Sequence, residues 1–272
     1  MNAGLDFGST LVKAAWWKEN DYRFASTKDC SLADIIEKLK DDGVSKVFIA
    51  GIGYKDEHAK LLSGFEVQRP SEDIIKSEIS LQARGAREWC SRTIMHSLDD
   101  FLLVSIGTGT SYTFVTKDST ARFPVGNCIG GGFAKGVAAA MGLSYAEFAS
   151  LAEKGMPADL LVKDVAQESA GTPIGDLVVA NFGKVTPSTE KADACASIVT
   201  AMAVAAVRDV LLLDMVPYPK MKDVVFIGSS IDSLPSLRRN IERYLPLTGK
   251  MGHFPHNGQY SLAIGAYLAG RD

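Results

Sequence analysis

Two stretches of this chain gather glycine and small hydroxyl residues in a way that suits polyphosphate. They are Gly8-Ser9-Thr10, ahead of Lys13, and Gly107-Thr108-Gly109-Thr110, followed by Ser111. Each leaves an apolar run, Gly4 to Phe7 in the first case and Leu103 to Ile106 in the second, and enters another strand-like segment. That is the pattern of a tight β-hairpin whose glycines allow positive φ and close ligand approach. Either turn alone is as readily an ordinary hairpin. Two of them at equivalent places in a repeat, facing each other, form a clamp whose backbone N–H groups and hydroxyls hold phosphate oxygens. Asp6 ends the first strand, where a carboxylate can hold a hydrated divalent cation such as Mg²⁺. Lys13 either neutralises phosphate charge or is a solvated strand lysine. The chemistry these residues fit is ATP-dependent phosphoryl transfer.

Other candidates are weaker taken singly. Gly130-Gly131-Gly132 runs into Phe133 and a helical stretch, so it is either a flexible connector or a helix N-terminus whose N–H groups and dipole seat nucleotide phosphates. Gly228-Ser229-Ser230 follows the apolar strand Val224–Ile227 and reads as a loop, which in an actin-like ATPase would sit where adenosine lies. Glu78 shares a helical stripe with Ile75, Gln82 and Gly85, which spacing alone reads as a solvated glutamate or as a carboxylate on a partly apolar face. His58, His96, His253 and His256 have no companion pattern and default to surface or loop positions. Trp16 and Trp17 alternate along a strand, one toward the core and the other toward a neighbour.

These residues need elements to position them. The first hairpin leads to a strand near Tyr22–Thr27, a helix from Ser31 to about Asp42, and a strand Lys46–Ala50 ending in Gly51-Ile52-Gly53. The β-β-β-α-β order restarts with strands around Phe101–Ser105, Ser111–Thr116 and Ser119–Phe123 and a helix from the triple glycine through Met141. Between them lies a helix of about Ser71 to His96. Later come a helix Ser144–Lys154, an extended piece Leu160–Asp164, a loop with Ala180-Asn181-Phe182-Gly183, a long helix Thr189–Asp214, a strand Asp223–Ile227 and a final helix Ser261–Leu268. The fold class expected is α/β: duplicated halves of the actin-like, ribonuclease H-like ATPase type, 1–97 and 98–272, with a nucleotide cleft between them.

Composition narrows the ligand. A formal charge of −3, a pI near 5.9 and no basic block give no reason to expect a nucleic acid or an anionic membrane as partner, so the ligand is expected to be small. No charged segment followed by an apolar one opens the chain, which predicts a cytoplasmic protein. The apolar run Ile198–Val207 is closed by Arg208 and Asp209, too short for a bilayer, and its alanines predict a helix packed inside the fold. Cys30, Cys90, Cys128 and Cys195 form no C-x-x-C pair and are expected to be reduced and structural.

Taken together the motifs resemble one family end to end, the type II pantothenate kinases of the short, staphylococcal-like form. The likeness runs through Gly4–Lys13, Ser77-Glu78-Ile79, Ser105–Ser111, Gly130–Gly132 with Gly136, Asp159–Asp164, Ala180–Lys184, Phe226–Ser230 and Ala263–Ala266. The first and third are common to many actin-like ATPases, whereas Asn181-Phe182-Gly183 with the upstream Asp164 is more particular. The resemblance implies transfer of the ATP γ-phosphate to the primary hydroxyl of pantothenate, opening coenzyme A synthesis. By position it makes Glu78 the catalytic base, Asp6 the Mg²⁺-associated carboxylate, Thr108 and Ser111 substrate contacts, and Arg122 the arginine that steadies substrate and transition state. The chain departs from the family in Arg122–Ile129, where relatives carry a Gly/Thr-richer stretch. The resemblance also implies a homodimer, with Lys191–Asp214 the candidate interface. The alternatives are another kinase of the superfamily, such as an N-acetylhexosamine kinase, whose sugar-binding aspartate is not evident, or a nucleotide-dependent activator ATPase, which needs bridging cysteines in surroundings that Cys128 and Cys195 lack. A catalytically dead sensor is unsupported, because Asp6 and Glu78 are both present.

Overall fold

Alternating apolar residues build the first sheet. The computed structural model describes residues 1–70, 73–94 and 98–271. In it β1 (Asn2–Phe7), β2 (Val12–Lys18), β3 (Asp21–Ser26), β4 (Lys46–Ala50) and β5 (Glu66–Gln68) lie in the order β3-β2-β1-β4-β5, with α1 (Leu32–Asp41) and α2 (Asp56–Leu61) in the connections. Strand β1 is central and pairs antiparallel with β2 and parallel with β4, which places Asp6 between Lys13 and Ala50. Helix α1 starts at a capping box of Ser31 and Asp34 and buries Ile35, Ile36 and Leu39. Helix α3 (Ile74–Thr93) follows, capped by the Asp73 carboxylate; Ser71, Glu72, Met95 and His96 of the expected 71–96 helix lie outside the described residues.

The second sheet repeats the first. Strands β6 (Phe101–Ile106), β7 (Thr110–Val115), β8 (Thr120–Arg122), β11 (Asp223–Ile227) and β12 (Met251–His253) are ordered β12-β11-β6-β7-β8, the same topology read from the other edge. One detail carries the duplication to single atoms. Gly51, just past β4, has φ +92°, and Gly228, just past β11, has φ +111°. A Cβ on Gly51 would strike the main chain of Phe7, and one on Gly228 that of Ile106, the last residues of the two equivalent strands. Both turns therefore demand glycine twice over, for their backbone angle and for closeness.

The remaining elements are α4 (Gly131–Ala140), α5 (Tyr145–Lys154), β9 (Leu160–Leu161), α6 (Val162–Val165), β10 (Val178–Ala180), α7 (Lys191–Leu213), α8 (Ser229–Ser233), α9 (Pro235–Tyr244) and α10 (Ser261–Ala269). Two expectations are corrected here. The segment 160–164 is extended only at Leu160–Leu161 and then turns into α6, because the Asp164 carboxylate accepts the Leu161 N–H at 2.8 Å. Gly228-Ser229-Ser230 is not a loop, since Ser229 opens α8. Helix α7 is long and apolar enough to cross a bilayer by length and composition, yet twelve of its residues, from Cys195 to Leu213, are buried against protein.

Two compact units result, residues 1–103, 113–122 and 255–272 in one and 104–112 and 123–254 in the other. This differs from the expected division at residue 97, because α10 packs on α3 and on β1. The contact is backbone to backbone: a Cβ on Gly85 would enter the Ser261 carbonyl, one on Gly265 the Leu81 carbonyl, and one on Gly4 the Ala263 carbonyl. Gly4, expected within a phosphate signature, is thus a packing residue, and the same contacts fix α3 relative to β1.

Candidate active site

Strand β1 carries Asp6 at 5 % exposure, and β2 carries Lys13 opposite it, the ammonium 3.0 Å from the carboxylate. Lys13 is therefore no solvated strand lysine. Burial pushes the Asp6 carboxyl above its ordinary range, and Lys13 opposes that shift. Helix α3 brings Glu78 to the same place. Its carboxyl is pushed up, first by burial and then by the Asp6 charge; Arg122 at the end of β8 acts in the opposite sense, as do the Ile52 N–H donated to it and Lys13. Two carboxylates and two cations thus lie within electrostatic reach of one another in the first unit, and both carboxyls are raised above their ordinary range, chiefly by burial. Ile52 was not singled out by sequence reasoning. The signal was available in Gly51-x-Gly53 after an apolar strand: Gly53 donates to the Phe7 carbonyl at 2.7 Å and draws the turn onto the end of β1.

The first turn closes where the Gly8 N–H reaches the Leu11 carbonyl at 3.1 Å, leaving Ser9 and Thr10 on the surface. In the second unit the Gly107–Thr110 turn is welded to α4. Gly131 donates to the Gly107 carbonyl at 2.7 Å, Gly132 to the Thr108 carbonyl at 2.8 Å, and the Ser230 hydroxyl reaches Gly107 at 3.3 Å. Two N–H groups of the triple glycine, read as open to a ligand, are thus already paired within the protein. What these glycines supply is approach, since Cβ atoms at 130–132 would meet the turn itself. Thr110 is buried and its hydroxyl donates to the Ile129 carbonyl at 2.9 Å, whereas Thr108 is exposed, Ser111 half-buried, Phe133 exposed and Ser229 half-buried beside Gly228. Below the turn, Tyr112 and Asn127 both donate to the Asp209 carboxylate, at 2.7 and 2.6 Å, a half-buried brace that spacing gave no hint of.

The family-like segment in 159–184 is a local scaffold. Asp159 accepts the Phe182 N–H at 2.8 Å, with Phe182 at φ +61°, and Asp164 pairs with Lys184 at 2.9 Å. His253 pairs with Asp223 at 2.7 Å and the His58 ring lies 4.8 Å from that of Phe7, so neither is an idle surface histidine. Among the described residues no cluster of three or more His, Cys, Asp or Glu could cage a metal. A single buried carboxylate already holding one cation fits Mg²⁺, which binds through one or two carboxylates, keeps its waters and takes substrate phosphates as ligands.

The Fumble family model matches residues 90–268, well over half of the chain. The chain belongs to the Fumble family. It is 26 % identical over 286 residues, all of both chains, to the type II pantothenate kinase of Staphylococcus aureus strain MRSA252, and 26 % identical over 281 residues, 98 % of each chain, to that of strain USA300. In three dimensions this Fumble chain is similar to the activator of 2-hydroxyisocaproyl-CoA dehydratase from Clostridium difficile with bound ADPNP, with TM-score 0.62 and 18 % identity over 99 % of this chain and 93 % of that one. It is also similar to Lmo2764, a putative N-acetylmannosamine kinase from Listeria monocytogenes, with TM-score 0.52 and 14 % identity over 100 % and 99 %. At these identities the structures establish the fold, the actin-like ATPase and sugar-kinase architecture, and the protein is an ATP-dependent kinase by its family.

Proposed function

We infer that this Fumble protein is a pantothenate kinase, transferring the γ-phosphate of ATP to the primary hydroxyl of pantothenate to give 4′-phosphopantothenate. The observation that carries the chemistry is Glu78, a carboxylate raised by burial and held by the Ile52 N–H beside Asp6, Lys13 and Arg122. The substrate comes from the full-length staphylococcal relatives. Glu78 orients the acceptor hydroxyl and takes its proton as the oxygen bonds to the γ-phosphorus and the bond to the β,γ-bridging oxygen breaks, releasing ADP. Arg122 and Lys13 supply positive charge while that charge is redistributed. Asp6 would hold Mg²⁺, which with ATP supplies the transferable group and neutralises its oxygens. In its own unit each glycine turn offers phosphate contacts: Gly8, Ser9 and Thr10 in the first, and Gly107, Thr108 and Gly109 in the second, with Gly228 and Ser229 the candidate adenosine contacts. A cytoplasmic homodimer completes the reading. Of the two cysteines an iron–sulfur activator would draw on, Cys195 is buried in α7 and only Cys128 is exposed, so they form no matched pair on the surface.

The test is ATP consumption with pantothenate, pantetheine and N-acetylglucosamine in parallel. Pantothenate-dependent ADP release, with none for the sugar, supports the reading; turnover of the sugar alone, or of none of the three, ends it.

A further inference from the structure

The first unit encloses a cavity of about 240 Å³ with Glu78 in its wall. Its other lining residues include Ile49, Ile52 and Ile74, and Ala50, the ladder partner of Asp6, so the space adjoins the carboxylate pair. The described lining holds one more charged side chain, Arg69, and the proposed mechanism gives it no task. Its guanidinium carbon stands 3.9 Å from the centre of the Tyr54 ring, a stacked pose that fixes the plane and leaves the edge N–H donors to other partners. No carboxylate among the described residues pairs with it. A cation held in one orientation at the rim of an otherwise apolar cavity, in the same wall as the proton acceptor, is an anion receptor.

We propose that Arg69 anchors an anionic group of the acceptor, a carboxylate joined to the reacting hydroxyl by a segment whose apolar substituents fill the space between Ile49, Ile52 and Ile74. This rests on the acceptor-kinase reading above and adds to it the residue that selects acidic acceptors over neutral ones sharing the same hydroxyl end.

Pantothenate and pantetheine form the discriminating pair, since they differ in whether the far end is a carboxylate or an amide. Arg69→Gln raises KM for pantothenate about tenfold or more, the size of a lost charge-assisted hydrogen bond, with kcat and KM for pantetheine held within about twofold. Arg69→Lys, which keeps the charge but not the fork, falls between. Arg69 is exposed, so both variants keep the parent melting temperature. Equal losses on both acceptors, an unchanged pantothenate KM, or a rise confined to the KM for ATP overturns the proposal while the parent's pantothenate kinase activity stands. A parent inert toward both acceptors overturns the functional reading and this proposal with it.

Discussion

Gly85→Ala and Gly136→Ala make the same chemical change inside two helices and are expected to move stability in opposite directions. In α3 a Cβ at Gly85 runs into the Ser261 carbonyl and the Gly265 nitrogen, whereas in α4 a Cβ at Gly136 meets nothing. Both variants gain the alanine propensity advantage of about 0.8–1 kcal/mol. Gly136→Ala keeps most of it, and stability rises by about 0.5–1 kcal/mol. At Gly85 the obstacles are main-chain atoms with no rotamer to retreat into, and Gly265 faces the Leu81 carbonyl just as closely from the other side. Helices α3 and α10 must part, at an overpacking cost at or beyond the usual upper end of about 3 kcal/mol, for a net loss of roughly 2–4 kcal/mol. At about 2–4 °C per kcal/mol for a chain of this size, Gly85→Ala melts roughly 5–15 °C below the parent and Gly136→Ala about 1–4 °C above it. Because α3 also carries Glu78, kcat falls in Gly85→Ala and holds in Gly136→Ala. A Gly85→Ala protein melting at or above the parent would refute the backbone-to-backbone contact.

Three predictions concern the site itself. Glu78→Gln keeps size but cannot take the proton, so kcat falls by roughly 10²–10⁴ while calorimetry shows ATP and pantothenate still binding; turnover at the parent rate makes Glu78 a bystander. The acid limb of kcat/KM reports ionisation of Glu78, whose carboxyl is raised above the ordinary 4.5, so activity is lost with falling pH sooner than an unperturbed glutamate requires. Arg122 favours the charged form, so Arg122→Gln moves that limb to still higher pH, and a limb that stays or moves down excludes Arg122 from Glu78's surroundings. Asp6→Asn removes the charge that would draw in the metal, so the Mg²⁺ concentration needed for half-maximal rate rises about tenfold or more; an unaltered Mg²⁺ dependence takes Asp6 out of the metal site.

Strands β1 to β4, β6 to β8 and β11 were legible as short apolar or alternating runs ended by turns, and α1 because Ser31 and Asp34 spell a capping box, whereas the edge strands β5 and β12, three mostly exposed residues each, carry no such pattern and were missed. Helix α2 was not, since none of its residues is buried and no apolar period exists to read. Helix α9 did carry a signal in Pro235 at its start and in Leu237 and Ile241 one turn apart, both buried. The long reach of α10 back to α3 and β1 was invisible for another reason. It is written in Gly4, Gly85 and Gly265, and a glycine states that something comes close without stating what.

The same distinction separates the parts of the site. Types and spacing singled out Asp6 and both glycine turns as candidates, because phosphate chemistry draws on backbone and small hydroxyls in a contiguous stretch. Glu78 has no such local grammar; as one glutamate on a helix it is indistinguishable from its solvated neighbours, and its surroundings come from elsewhere in the chain: burial and Asp6 on β1 raise its carboxyl, while Arg122 on β8 and the Ile52 N–H in the turn after β4 oppose the shift. That turn could take its place only because Gly51 adopts positive φ against Phe7, as Gly228 does against Ile106. In the second copy the freed residue opens α8; in the first it is Ile52, whose N–H goes to Glu78. One duplicated backbone device thus serves two ends, and the first copy meets Glu78 because α3, pinned by Gly85 to α10, lies within reach of it.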